Sequence, residues 1–566
     1  MIRDNNNKVN RRRVFSLFFL FIVAFGLIVY KLIDIQYISA DQYIIQADYQ
    51  HTGSYELKAK RGKILDRNGI ELASSLIEKT ITANPQLIKD ATEASEKISG
   101  ILNIDKMQLK NLLSDKSKGF IYVARKVDPI TADKISELNI QGINIEDECK
   151  RYYPQDELAC SLIGFVGTDN NGLSGLEIQY DEILKGIDGK FTAQKDGLGR
   201  VIETNENNYI KPIPGGNIVL TIDSSLQFFA ESKLKEVAKD YNAPRAVLIV
   251  MNPKNGEIYA MTQYPTFNLN NYFDYNQEYF NNLGISFTYE PGSTFKIVNI
   301  ASAIDNGCVS PNQFFHLSPS IKVGDRIIKE IHRTYAVDYS LQDIIKYSSN
   351  VGAVTVALSM GDEILYKNIL KFGFGSLTGV NLPGEEKGII SDYKSWPAST
   401  IGALAIGQSI SVTPLQLLRA ACVIANGGFL IDPCVVSEVW NRDGTVEKLN
   451  LSQDSKTQII SSATALEVKN MMLSVVEGGT GDKAKIDGIK VCGKTGTAQK
   501  ANKNKPGYDE GRIITSFLGF APYENPEVAC IVVIDEPQGN EEEIWGGTVA
   551  APIFSEVVKF ALSRIN

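Results

Sequence analysis

The chain has 566 residues, 43% hydrophobic and 22% charged, a composition of folded protein and a length beyond one typical domain. A net charge of −8 argues against nucleic acid as the main partner, because nucleic-acid-binding domains are usually basic. Seven scattered cysteines without a Cys-x-x-Cys pair argue against a disulfide framework or a zinc site, so buried free thiols are expected. The only histidines are His51, His316 and His332, which leaves no His-rich metal centre and few choices for a Ser-His-Asp triad; no metal and no cofactor is expected.

In chain order, the first element is "VFSLFFLFIVAFGLIVY" (14–30), uncharged and running on toward Ile33. That is close to the ~20 residues that cross a bilayer. Arg11, Arg12 and Arg13 precede it, and basic residues stay on the cytoplasmic side. The expectation is a cytoplasmic tail (1–13), one transmembrane anchor (14–33) in the cytoplasmic (inner) membrane, and an exterior, periplasmic or extracellular, carrying everything after it. A cleaved signal would have a shorter core and a small-residue site; Ile38 in Ile38-Ser39-Ala40 is not small, so the anchor is expected to stay.

Residues 34–215 mix short strands, charged helices and turns. "RGKILDRNGIELASS" (61–75) predicts a hairpin turning at Asn68-Gly69, and "GLEIQYDEILKG" (175–186) a helix ending at Gly186. Pro and Gly in "IPGGNIVLTID" (213–223) mark a boundary. From 216 to 566 a helix follows Asp223, and 245–265 reads as a hairpin about Asn255-Gly256. The middle is helical, strands return at 488–499, 513–522 and 528–537, and a last helix covers roughly 551–564. Two early strands and three late ones with helices between predict an α+β domain, a five-stranded antiparallel sheet sandwiched by helices.

Three patterns in this second part bear on chemistry. In "YEPGSTFKIVNI" (289–300) Ser293 opens a helix that should stop at Asn306-Gly307, and Lys296 lies three residues on, on the same face. A lysine base must be neutral, and burial or a neighbouring cation would bring that about. In "KYSSNVG" (346–352), after the capping-box-like "SLQD" (340–343), Ser348 and Asn350 fall at or just past a helix end on its buried side. A hydroxyl there can relay a proton, and an amide can hold a lysine and a substrate carbonyl at once. In "CGKTGTAQK" (492–500) Gly493 and Gly496 leave the backbone open to a ligand, and Lys494 with the hydroxyls of Thr495 and Thr497 suits a carboxylate. Each pattern alone is also an ordinary helix start, turn or charged edge strand.

Ser-x-x-Lys, Ser-x-Asn and Lys-Thr-Gly in this order form the triple signature of penicillin-interactive serine enzymes. The sequence resembles the class B penicillin-binding proteins, monofunctional peptidoglycan D,D-transpeptidases, over nearly its whole length. Outside the signature, "RGKILDRNG" (61–69), "RYYP" (151–154), "GFVG" (164–167), "GLEIQYD" (175–181) and "GGTVAAPIF" (546–554) also match, whereas Trp545 stands where the family has tyrosine. The resemblance implies Ser293 as acylated nucleophile, Lys296 as general base, and Ser348 and Asn350 as proton relay and positioning groups. It implies Lys494, Thr495, Gly496 and Thr497 as the carboxylate site of a D-Ala-D-Ala stem, with the backbone N–H groups of Ser293 and Thr497 as oxyanion hole. Region 34–215 becomes a pedestal or dimerisation domain, and 216–566 the transpeptidase domain. Implied partners are stem peptides, β-lactams as covalent inhibitors, and a membrane glycan polymerase of the FtsW/RodA kind with other division proteins. "AQKDGLGRVI" (193–202) and the compact pedestal look division-type rather than elongation-type, with no appended PASTA repeats. A hydrolase of the carboxypeptidase or β-lactamase kind and a non-catalytic sensor or scaffold are the alternatives; no deacylating glutamate motif stands out.

Overall fold

The computed structural model describes residues 3–43, 52–195, 201–331, 333–449, 456–502, 507–540 and 543–565. His51, His332 and positions 196–200 of "AQKDGLGRVI" lie outside them. The chain forms two compact units: residues 1–59, 78–148 and 187–213, and residues 60–77, 149–186 and 214–566. The last passage between units falls at 213–214, but two earlier stretches already belong to the larger unit, so the units interleave in sequence.

The smaller unit begins with the helix Arg3–Ile33. Within it and beyond, Arg11–Ile38 has a mean hydropathy of 2.4 and none of it is buried, as expected of a helix whose apolar surface faces lipid. Further on, helices Ala91–Leu102, Lys106–Ser114 and Pro129–Glu137 are each capped by an aspartate, Asp90, Asp105 and Asp128, whose side chains accept first-turn N–H groups. Their apolar faces close over Ile81, Ile98, Leu113 and Ile135. Strands Thr52–Leu57, Gly189–Lys195 and Val201–Ile210 make a separate antiparallel sheet.

In the larger unit, Ile64–Leu65 pairs with the start of the strand Glu71–Ala83 as the expected hairpin, and Gly69 adopts φ 82° in its turn. The helix expected over 175–186 is instead two short pieces, Gly175–Gln179 and Asp181–Leu184, interrupted at Tyr180. The reason lies in what their acids hold. Buried Glu177 accepts Arg61 Nε and Arg151 Nε, both at 2.6 Å, and Asp181 accepts Arg61 Nη1 at 2.6 Å. Three motifs far apart in sequence thus meet in one buried ion-pair cluster, and each charge has a partner as burial requires. Asp66, at the start of the hairpin turn, accepts the Ser224 hydroxyl at 2.7 Å and so ties this hairpin to the first long helix.

That helix, α1 (Ser224–Asp240), is capped by Asp223. Strands β1 (Arg245–Met251) and β2 (Ile258–Tyr264) follow, then α2 (Lys296–Asp305), α3 (Leu341–Lys346) and α4 (Asn350–Lys371). Next come α5 (Pro414–Ala425), α6 (Ser462–Gly478), strands β3 (Cys492–Ala501), β4 (Tyr508–Ala521) and β5 (Val528–Asp535), and α7 (Gly546–Ile565). The sheet order is β2-β1-β5-β4-β3, every pair antiparallel, which is the five-stranded sheet expected. Residues alternate between its faces as a strand dictates. Leu248, Val250, Phe517, Cys530 and Val532 pack with α1 and α7. Val247, Ile249, Leu518, Phe520 and Ile531 join a second cluster with α2, α4, α5 and α6. Every residue of α5 is buried; its two polar side chains, Gln416 and Arg419, are satisfied by the carbonyls of Ser376, Lys387 and Ile431. All seven cysteines are free; six are buried and Cys308 is half-buried.

Candidate active site

Ser293 sits in a single 3-10 turn, Gly292–Phe295, that leads directly into α2; the C-terminal cap is Asn306, with Gly307 at φ 68°. The turn is clamped on two sides. Gly292 N donates to Gly407 O at 3.0 Å, and a Cβ on Gly407 would lie 2.1 Å from Gly292 O. On the other side, a Cβ on Gly292 would lie 3.0 Å from Thr497 O in β3. Gly292 also takes φ 60°, where an L side chain is strained.

The Lys296 side chain is fully buried. Its Nζ donates to Ser348 O at 2.7 Å, Asn350 Oδ1 at 2.8 Å and Ser348 Oγ at 3.2 Å. Burial pulls its pKa down to about 7, against the opposing pull of the Glu330 carboxylate. Lys494, also fully buried, donates to Ser348 Oγ and Thr495 O, each at 3.1 Å. Burial, and then the charge of Lys296, hold its pKa well below the ordinary lysine value. The Ser348 hydroxyl therefore bridges two buried amines. Ser348 lies just past the end of α3 in the left-handed region, φ 58°, which turns both its carbonyl and its hydroxyl toward them.

The three patterns thus converge, with two differences from expectation. The amine of Lys296 bonds to the Ser348–Asn350 turn and not to the Ser293 hydroxyl, which makes no hydrogen bond among the described residues. The carbonyl and amide oxygens at that turn are the acceptors a buried amine needs. Asn350 opens α4, and its Nδ2 donates to Lys329 O at 3.1 Å, so one of its two N–H groups is already engaged. The glycines of β3 also serve another purpose than expected. A Cβ on Gly493 would meet Phe517 Cζ at 2.3 Å, and one on Gly496 would meet Ser516 Oγ at 2.4 Å and Thr294 Cγ2 at 2.8 Å. Their bare backbone admits neighbouring protein groups.

Thr495 Oγ1 lies 2.7 Å from Thr480 Oγ1, and Thr497 Oγ1 accepts Gly546 N at 3.4 Å. Lys494 through Thr497 stand on β3, an edge strand. Gly546 explains part of the "GGTVAAPIF" match: a Cβ there would lie 2.4 Å from both Gly496 O and Ser516 O. Two residues carried no sequence signal. Gly407 backs the serine turn, and Glu330 accepts Ser349 Oγ at 2.5 Å, Val351 N at 3.0 Å and Asn350 N at 3.3 Å. Glu290, three residues before the serine, accepts Ser409 N at 2.9 Å, and burial raises its pKa.

Residues 246–559 match the family described as the penicillin binding protein transpeptidase domain, and residues 56–220 the penicillin-binding protein dimerisation domain. Stage V sporulation protein D of Bacillus subtilis is 33% identical over 97% of this chain and 85% of its own. Peptidoglycan D,D-transpeptidase FtsI of Escherichia coli is 31% identical over 96% of this chain and 90% of its own. The crystal structure of penicillin binding protein 3 from Mycobacterium tuberculosis, complexed with aztreonam, is similar with a TM-score of 0.71 at 26% identity, covering 90% of this chain and 97% of that one.

Proposed function

The chain belongs to the class B penicillin-binding proteins, and on that premise we propose that it crosslinks peptidoglycan stem peptides as a serine-type D,D-transpeptidase through Ser293. The observation that carries this reading is the Ser348 hydroxyl, 3.2 Å from Lys296 Nζ and 3.1 Å from Lys494 Nζ, with both amines buried. Two buried cations so close cannot both keep their charge cheaply, and burial brings the Lys296 amine down to about 7, so it is neutral in part near neutral pH. A neutral Lys296 takes the Ser293 proton as Oγ bonds to the penultimate carbonyl carbon.

The negative charge moves to the carbonyl oxygen and is received by the N–H groups of Ser293 and Thr497, donors of a kind worth about 3 kcal/mol each in a dry site. The peptide C–N bond then breaks, and the proton passes through Ser348 to the departing D-alanine nitrogen. In the second step an amine of a neighbouring stem attacks the ester carbonyl and gives its proton to Lys296, which passes it to Ser293 Oγ as the ester C–O bond breaks. Lys494, Thr495 and Thr497 hold the terminal carboxylate, and Gly496 keeps the strand beside it close to the serine turn. The arriving anion favours the charged form of Lys494 and so offsets its burial. β-Lactams acylate the same serine.

Mass spectrometry of the penicillin-labelled protein tests the assignment: the adduct is expected on Ser293, and an adduct on another residue refutes it. Slow release of that adduct favours the transferase over a hydrolase, and failure of Ser293→Ala to complement excludes a scaffold.

The anchor, with Arg11–Arg13 inside, leaves the catalytic domain outside the cytoplasmic membrane, and residues 34–215 serve as pedestal and contact a glycan polymerase of the FtsW/RodA kind. We assign the septum as the place of action, supported by the likeness to FtsI. Depletion is then expected to give filaments. Rounded cells would indicate elongation, and a defect confined to spores would fit the likeness to the sporulation protein.

A further inference from the structure

We propose that Glu330 is a positioning residue for acylation: it holds the Ser348–Asn350 turn and, through that turn, Lys296. The inference rests on the reading of Lys296 as base. The Glu330 side chain is only 8% exposed and lies beyond the strand Arg326–Lys329, outside all three sequence patterns. Its Oε1 accepts the Ser349 hydroxyl at 2.5 Å and Val351 N at 3.0 Å, and its Oε2 accepts Asn350 N at 3.3 Å. These are donors at the N-terminus of α4, the positive end of a long helix, so the carboxylate is a charge-assisted cap. The preceding residue takes part as well, since Lys329 O accepts Asn350 Nδ2 at 3.1 Å and thereby leaves Asn350 Oδ1 facing Lys296 Nζ at 2.8 Å.

The cap also carries charge. The groups facing Lys296 are Lys494 on β3, itself held below the ordinary lysine value by burial and by the Lys296 charge, and Glu330, which retains the Lys296 proton. Glu330 is itself faced by Arg333, 3.3 Å away, and by Tyr339. Removing the carboxylate charge leaves burial alone acting on Lys296, and burial favours the neutral amine. The acid limb of the pH–rate profile should then move to lower pH, although the looser turn slows the reaction.

The test is the second-order rate constant for acylation of the full-length protein by a fluorescent penicillin, measured across pH for wild type, Glu330→Gln, Glu330→Asp and Ser293→Ala. For Glu330→Gln the acid limb is expected to fall by about one pH unit, the size of a unit charge acting at short range in a protein interior. Its plateau is expected to drop about tenfold, the scale of a misplaced catalytic group. A lowered plateau with the limb unmoved would reduce Glu330 to a structural cap and overturn the proposal. Should Glu330→Gln not fold, Glu330→Asp decides: it keeps the charge but is too short for all three donors, so the limb stays and the plateau falls. A wild-type plateau for Glu330→Asp overturns the proposal. Labelling of Ser293→Ala would instead defeat the nucleophile assignment, a separate outcome.

Discussion

At the scale of single residues, the two buried lysines set the expected pH behaviour. Lys296 titrates near 10.5 in an open chain and about 7 in the fold, so between those values the unfolded chain binds the extra proton. Folding stability attributable to this group therefore rises with pH from about 7 to 10.5 and is lost as pH falls through that window. Thermal melts of wild type and Lys296→Met across about pH 7–10 check this, with a flatter dependence expected for the variant. Lys296→Arg should abolish labelling by penicillin, because a guanidinium stays protonated and cannot take the serine proton. Of the two residues before the Gly292–Phe295 turn, Glu290 accepts Ser409 N from a distant segment and the Pro291 carbonyl accepts Thr294 Oγ1 at 2.8 Å.

At the scale of elements, the serine turn, β3 and α7 approach one another through glycines. Gly407→Ala puts a methyl 2.1 Å from Gly292 O at a residue with φ 75°. It should destabilise the protein by about 2 kcal/mol or more and slow acylation, as read by thermal unfolding and penicillin labelling. Gly546→Ala drives the N-terminus of α7 against Gly496 O, so it should lower labelling by displacing β3. The hairpins, the capping box at Ser340 and the sheet strands were legible in sequence because alternation, turn glycines and caps are local signals. The break at Tyr180 was not, because its cause is what Glu177 and Asp181 hold from distant segments.

At the scale of the whole molecule, the buried cluster of Arg61, Arg151, Glu177 and Asp181 ties early segments into the larger unit. Arg61→Ala leaves Glu177 short of one partner in a buried site, and a loss of roughly 3–5 kcal/mol is expected in denaturant unfolding. Penicillin labelling of the fraction that remains folded should still map to Ser293. The sequence by itself determined the apolar N-terminal helix, the five strands, the helix starts and the order of the three patterns, since each depends on residues within one or two turns of each other. Only the tertiary structure decided that the Lys296 amine rests on the Ser348–Asn350 turn, that Glu330 caps that turn, and that Gly407 and Gly546 leave room for the serine turn and β3. Those contacts join segments far apart in the chain, and a buried amine finds its acceptors only where packing brings them.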